Sequence, residues 1–168
     1  MIDVATIVET GWKTAADWDA LGEAAVFAAI AASPYAALAG VPSTIEVAIR
    51  LTSDDDVQSF NQQYRGKNKP TNVLSFPMHE PQEIGLLSAA TDPEIMLGDI
   101  VLAHGVCAAE AEARGVSVEA HATHLIVHGT LHLLGYDHMG DSEAEVMEAL
   151  ERQIMAKLSL HDPYTIEE

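Results

Sequence analysis

Residues 128–138 read HGTLHLLGYDH. His128 and His132 stand four apart, so on a helix, at about 100° per residue, both rings project from one face, one turn above the other. Gly135 follows three residues later and can take the left-handed conformation that ends a helix. The turn it makes brings His138 back towards the pair. The stretch therefore predicts a helix, a glycine stop and a three-histidine metal site.

Upstream, His121 and His124 extend the same face, and all four helical histidines fall within about 80° of one another. Position on a face does not choose among them. Three histidines at i, i+4 and i+8 would spread over about 12 Å of helix axis and could not converge on one ion. One i, i+4 pair plus a ligand from the returning chain can, which selects His128, His132 and His138 and leaves His124 one turn away, in the wall of the site or behind its ligands. Three neutral imidazoles with no fourth protein ligand describe an open, catalytic zinc site with about one ion per chain. Nickel, copper and iron also accept such ligands. The spacing matches that of the metzincin proteases, but those carry a glutamate base directly after the first histidine, and here that position is Gly129. Proton removal would fall to another group. Asp137, beside the third ligand, is either that base or a group orienting a ligand histidine. An acid placed at Gly129 would be expected to set negative charge where a phosphate approaches.

The rest of the chain reads as an α+β fold. Strands are expected at Val4–Val8, Thr44–Leu51, Asn72–Phe76 and Asp99–Ala103 from their β-branched and alternating residues. Helices are expected over Asp17–Ala32, from a Ser53 cap through about Tyr64, over Val106–Arg114 ending at Gly115, and from a Ser117 cap through the first two motif histidines. A final helix, roughly Glu143–Lys157, is expected to start from an Asp141 or Ser142 cap and to carry a solvated charged face. Residues 79–94, HEPQEIGLLSAATDPE, read as a loop or flap.

A length of 168 residues with 48% hydrophobic content suits one domain over residues 1–168. The opening MIDVATIVETGW does not read as a signal peptide, and the longest apolar run, Ala24–Ala32, is too short to span a bilayer. The single cysteine, Cys107, excludes an internal disulfide and suits a reducing cytoplasm. The formal net charge of −18 opposes broad contact with a phosphate backbone, so any nucleic-acid contact must be local. Three of the eight basic residues, Arg65, Lys67 and Lys69, cluster in YRGKNKP at 64–70.

HGTLHLLGYDH, together with YRGKNKPTNVLSFP at 64–77 and LGDIVLAHG at 97–105, resembles the YbeY family of bacterial ribosomal-RNA maturation factors, which are metal-dependent endoribonucleases. The resemblance implies a mixed four-stranded sheet packed with about five helices, zinc on His128, His132 and His138, and cleavage of single-stranded RNA. It further implies a part in maturing the 3′ end of small-subunit (16S) ribosomal RNA and in ribosome quality control, with the small ribosomal subunit and its proteins as partners. Arg65 would line the RNA cleft, with Lys67 and Lys69 near it, and Asp99 would lie near a ribosomal-protein contact. Asn68 and Asn72 depart from the family pattern, which commonly carries aspartate there. Two other functions fit the histidines: a zinc peptidase with its base elsewhere, and a non-enzymatic ribosome-assembly binding protein whose metal only holds the turn.

Overall fold

In the computed structural model, residues 1–137 and 140–164 are described. Four strands, β1 (Ile2–Val8), β2 (Thr44–Thr52), β3 (Val73–Pro77) and β4 (Glu94–Ala103), form one mixed sheet in the order β1-β2-β4-β3. β1 with β2 and β2 with β4 run parallel, and β3 lies antiparallel against β4 at the edge. The helices are α1 (Trp18–Ala32), α2 (Asp54–Arg65), α3 (His104–Arg114), α4 (Val118–Leu133) and α5 (Asp141–Lys157). The expected fold class, a mixed four-stranded sheet with about five helices, is the one found.

Alternation decides which side of the sheet each helix takes. Ile45, Val47, Ile49 and Leu51 of β2 point to one side, where they join Leu97, Ile100 and Leu102 of β4 in the main core beneath α1 and α4. The other side carries only a small cluster, in which Val57 of α2 packs on Leu74, Val101 and Ala103. α4 is walled in: eleven of its sixteen residues are buried, including His121 and His124. A helix this enclosed reads as apolar nearly all round, and its few polar groups must find partners inside the protein.

Local chemistry starts α2 and α4 as their sequences suggest, and Asp17, expected as the first residue of α1, caps it instead. Asp17, Ser53 and Ser117 each accept a hydrogen bond from the backbone N–H three residues on. α3 begins two residues earlier than its sequence suggests, because Asp54 of α2 supplies the acceptor for the Val106 N–H from another element. α5 begins on Gly140 with no side-chain cap, so neither Asp141 nor Ser142 plays that part. Both residues sit inside the first turn, where acids still favour the positive end of the helix.

Two more boundaries differ from the expectation. β4 starts at Glu94 rather than Asp99, and a bulge between Met96 and Gly98 hides it by breaking the alternation. The segment expected as a loop contains a 3-10 helix, Pro81–Ala89, that buries Ile84 and Leu87. Glu80 and Glu83 close its first turn reciprocally. Cys107 is buried, and burial, with Glu110 and Glu119 nearby, pushes its thiol up to about 12, which leaves it unreactive. No helix among the described residues is long and apolar enough to cross a membrane.

His121 shows what a polar group inside this core costs. Its Nε2 donates to Glu110 at 2.8 Å. Burial nonetheless holds the imidazole below its ordinary value of 6.5, against the opposing pull of Glu110. The unfolded chain takes up a proton near that value and the folded chain does not. Stability contributed at this site is therefore present above the ordinary value and declines as the pH falls below it. Urea unfolding should show a lower midpoint at pH 5.5 than at pH 7, and His121→Asn should flatten that difference. A wild-type slope that the substitution leaves unchanged would remove His121 as its source.

Candidate metal centre and active-site cleft

The end of α4 builds the site. The Tyr136 N–H returns to the Leu131 carbonyl and the Gly135 N–H to that of His132, the paired bonds of a Schellman turn. Gly135 takes φ of 97° there, and a Cβ on it would meet Pro81 at 2.9 Å. Both facts require glycine. The turn brings the Tyr136 carbonyl back to His132, whose Nδ1 donates to it at 2.8 Å.

His128 is fixed in the same sense by a different partner. Its Nδ1 donates at 2.9 Å to Oε1 of Glu151, a residue of α5 that is 1% exposed. A carbonyl and a carboxylate can only accept, so both Nδ1 atoms carry the hydrogen. In the neutral rings both Nε2 atoms are then lone pairs, and they face each other at 3.0 Å. Two imidazole nitrogens on one tetrahedral zinc, each at about 2.0–2.1 Å from it, lie roughly 3.3 Å apart. The separation is a little under that of two zinc ligands, and two neutral rings with their hydrogens on Nδ1 could share a cation there. The third expected ligand, His138, lies outside the described residues. Among those described, no three histidine, cysteine or acidic side chains are gathered as a metal would need.

Around the pair opens a cleft of about 350 Å³ lined by Arg65, residues 71–75, His128, His132 and Asp137. Arg65 reaches it from the last turn of α2, and β3 forms the facing wall. Lys67 and Lys69 are exposed on the loop after α2 and do not line it. Asp99 belongs to a separate, largely apolar groove of about 520 Å³ on the α2 side of the sheet, with Arg50, Phe60, Tyr64, Phe76 and Met78.

Glu151 corrects the expectation that the charged face of the last helix is only solvated. It stands in the buried stripe Met147, Glu151, Ile154 and Met155. Its Oε1 also accepts from His124 Nε2 at 2.9 Å, and its Oε2 from the Tyr164 hydroxyl at 2.8 Å. Burial pushes the carboxyl pKa up, but the bonds from His124 and His128 outweigh it and hold the group ionised, with a pKa of about 2. The signal was present in the sequence as one acid at i, i+4, i+7 spacing among apolar residues.

A family model described as Endoribonuclease YbeY matches residues 22–159. The chain belongs to the YbeY family. Two relatives carrying that same description come from Rhizorhabdus wittichii, 54% identical over 100% of this chain and 99% of its own, and from Sphingopyxis alaskensis, 52% identical over 98% of each. The solution structure of a Thermotoga maritima protein matches with a TM-score of 0.54 over 97% of this chain and 99% of its own, at 21% identity, and supports the fold alone.

Of the two departures from the common YbeY pattern, Asn72 has a structural explanation and Asn68 has none. The Asn72 amide donates to Glu110 at 3.0 Å while its own oxygen accepts from the Val73 N–H, and an ionised aspartate could not make the first bond. Asn68 accepts from Gln58 on the exposed surface, away from the cleft. Gly129 differs from its expected placement. It faces the sheet, where a Cβ would meet Ile100 Cγ2 at 2.9 Å. An acid there would enter the core and not approach a phosphate. Gly129→Ala should destabilise the fold by about 1–3 kcal/mol through overpacking, and Gly129→Glu by more, because its carboxylate would lack a partner. Thermal unfolding checks both; a Gly129→Glu protein with unchanged Tm would overturn this placement.

Proposed function

We propose that the chain is a metal-dependent endoribonuclease that cuts single-stranded RNA in the cleft between α4 and β3. One observation carries the reading: the two Nε2 lone pairs of His128 and His132 share a cleft with Arg65. His128 and His132, with His138 as the third ligand, would hold the ion, zinc by preference. A zinc ion bound there supplies Lewis-acid polarisation of a phosphoryl oxygen and lowers the pKa of water.

The protein's own groups supply the remainder. Arg65, planar and always charged, can donate two directed hydrogen bonds to a phosphate and stabilise charge that develops on it. Asp137 lines the same cleft and is exposed, which supports it as the carboxylate that takes a proton from an attacking hydroxyl or orients a ligand histidine. The absence of a helix glutamate is no obstacle here, because position 129 faces the core and could not serve the cleft. Lys67 and Lys69 follow the backbone of the RNA outside the cleft and offset locally an acidic body that would otherwise repel it.

The substrate in the cell is then the 16S ribosomal RNA precursor, with action at its 3′ end, in the cytoplasm. Asp99 lies in a different groove, on the far side of the sheet. That separation supports a surface for a small-subunit ribosomal protein that leaves the RNA cleft open.

Zinc-loaded protein should be incubated with labelled single-stranded RNA, duplex RNA and an unstructured protein. Only the first should be cut, and His132→Ala should lose both its metal and the cleavage. Digestion of the unstructured protein with RNA intact would favour a peptidase, and no turnover of any substrate would favour a binding protein.

The cations should separate by role in single-turnover assays at saturating enzyme. Arg65→Lys should lower the cleavage rate by about tenfold or more while changing RNA affinity little, since a point charge cannot keep a bidentate contact. Lys67→Ala and Lys69→Ala should instead weaken binding across sequences and flatten its salt dependence, with cleavage of bound RNA largely kept. Equal bound-state rates in all three variants would remove Arg65 from the catalytic set.

A further inference from the structure

The C-terminal segment after α5 folds back across the helix that carries His128. Ser159 takes a left-handed φ of 59°, and the Leu160 N–H closes the turn onto the Met155 carbonyl. Residues 162–164 are then pinned from two helices. Arg114 of α3 donates to the Pro163 carbonyl at 2.8 Å, and Arg152 of α5 donates to Asp162 Oδ1 at 3.2 Å. The Tyr164 N–H donates to the same carboxylate, and the Arg152 guanidinium lies 5.6 Å from the Tyr164 ring centre. These contacts set the phenol edge-on to His124 and aim its hydroxyl at Glu151 Oε2.

Glu151 is therefore held at both oxygens. His124 and Tyr164 bind it from two directions, and only His128, among its partners, also faces the cleft. We propose that Tyr164 and Glu151 are positioning residues for the metal centre, a relay running from the C-terminal segment through a buried carboxylate to the ring of His128. This rests on His128 being a metal ligand, as in the function proposed above. The relay does two things for that ring. It fixes the hydrogen on Nδ1, which leaves Nε2 as the donor towards the cleft, and it sets the ring's rotation about its Cβ–Cγ bond. A carboxylate on the remote nitrogen also makes the imidazole a stronger donor. His132 Nδ1 donates instead to a neutral acceptor, the Tyr136 carbonyl. The two ligands are consequently unequal, and His128 is the one whose strength depends on the fold of the distant tail. Tyr164 lies beyond the stretch, residues 22–159, that the family model matches.

The test uses cobalt(II), whose visible absorption reports both affinity and coordination geometry, titrated into metal-free full-length protein. Wild type, Glu151→Gln and Tyr164→Phe are compared, with thermal unfolding of the metal-free forms alongside. Glu151→Gln keeps the shape and removes the charge, and should weaken cobalt binding by about 10–100-fold. Tyr164→Phe keeps the ring packing and loses only the hydroxyl, so it should fold. It should weaken binding by a smaller factor, about threefold to tenfold, and alter the visible bands of the bound ion. Should Glu151→Gln fail to fold, Tyr164→Phe decides alone. Wild-type affinity and wild-type bands in Tyr164→Phe, or wild-type affinity in a folded Glu151→Gln, overturn the relay while leaving the metal site standing. A wild-type protein that binds no cobalt and no zinc overturns the metal site itself, and the relay with it.

Discussion

Two hydrogen bonds at the remote nitrogens of His128 and His132 determine what this site can be. One goes to a buried carboxylate and the other to a main-chain carbonyl, and neither acceptor can donate in return. Each ring is thereby committed to presenting Nε2. With both rings neutral, the two Nε2 lone pairs face each other at 3.0 Å, an arrangement that a cation or a proton shared between them would stabilise.

The fold makes that arrangement affordable by enclosing α4. With α1, α3, α5 and the sheet around it, the helix keeps His121 and His124 from water and opens His128 and His132 to the cleft. Both buried rings are answered by an acid on a neighbouring helix, His121 by Glu110 of α3 and His124 by Glu151 of α5, and Glu151 also takes the half-buried His128. Asn72, in the cleft wall, joins the first of these acids and so couples the strand that faces the histidine pair to the helix behind it. The edge strand β3 and the last turn of α2 complete the cleft because α2 docks on the opposite side of the sheet, where its C-terminal end can carry Arg65 round to the open edge.

The parts of the molecule written in local chemistry were legible. The i, i+4 histidine pair, the glycine that turns the chain behind it, the Ser53 and Ser117 caps and the alternation of β2 each depend on residues a few positions apart. Features that depend on distant partners were not. The cap of α3 comes from Asp54, fifty-two positions before Val106, and no local pattern announces it. The bulge at Gly98 disguised half of β4 by shifting the alternation that identifies a strand. Gly129 looked like a missing catalytic acid because the spacing around it matched a protease, yet contact with Ile100 explains the glycine. Glu151 was visible as a charge in an apolar stripe, but its two histidine partners belong to another helix, and Tyr164 reaches it only through the return of the tail. The place of Arg65 beside the histidines was suggested by the family resemblance and not by local chemistry, because it depends on the three-dimensional path of α2.

The most direct measurement is the protonation pattern of the two rings. Long-range nitrogen–proton NMR correlations of the histidine side chains, recorded on metal-free protein near neutral pH, distinguish Nδ1–H from Nε2–H. Both His128 and His132 should show the Nδ1–H form, and one equivalent of zinc should move the Nε2 resonance of each. An Nε2–H form in either ring, or Nε2 resonances that zinc leaves where they were, would contradict the assignment of this pair as the metal-binding core of the site.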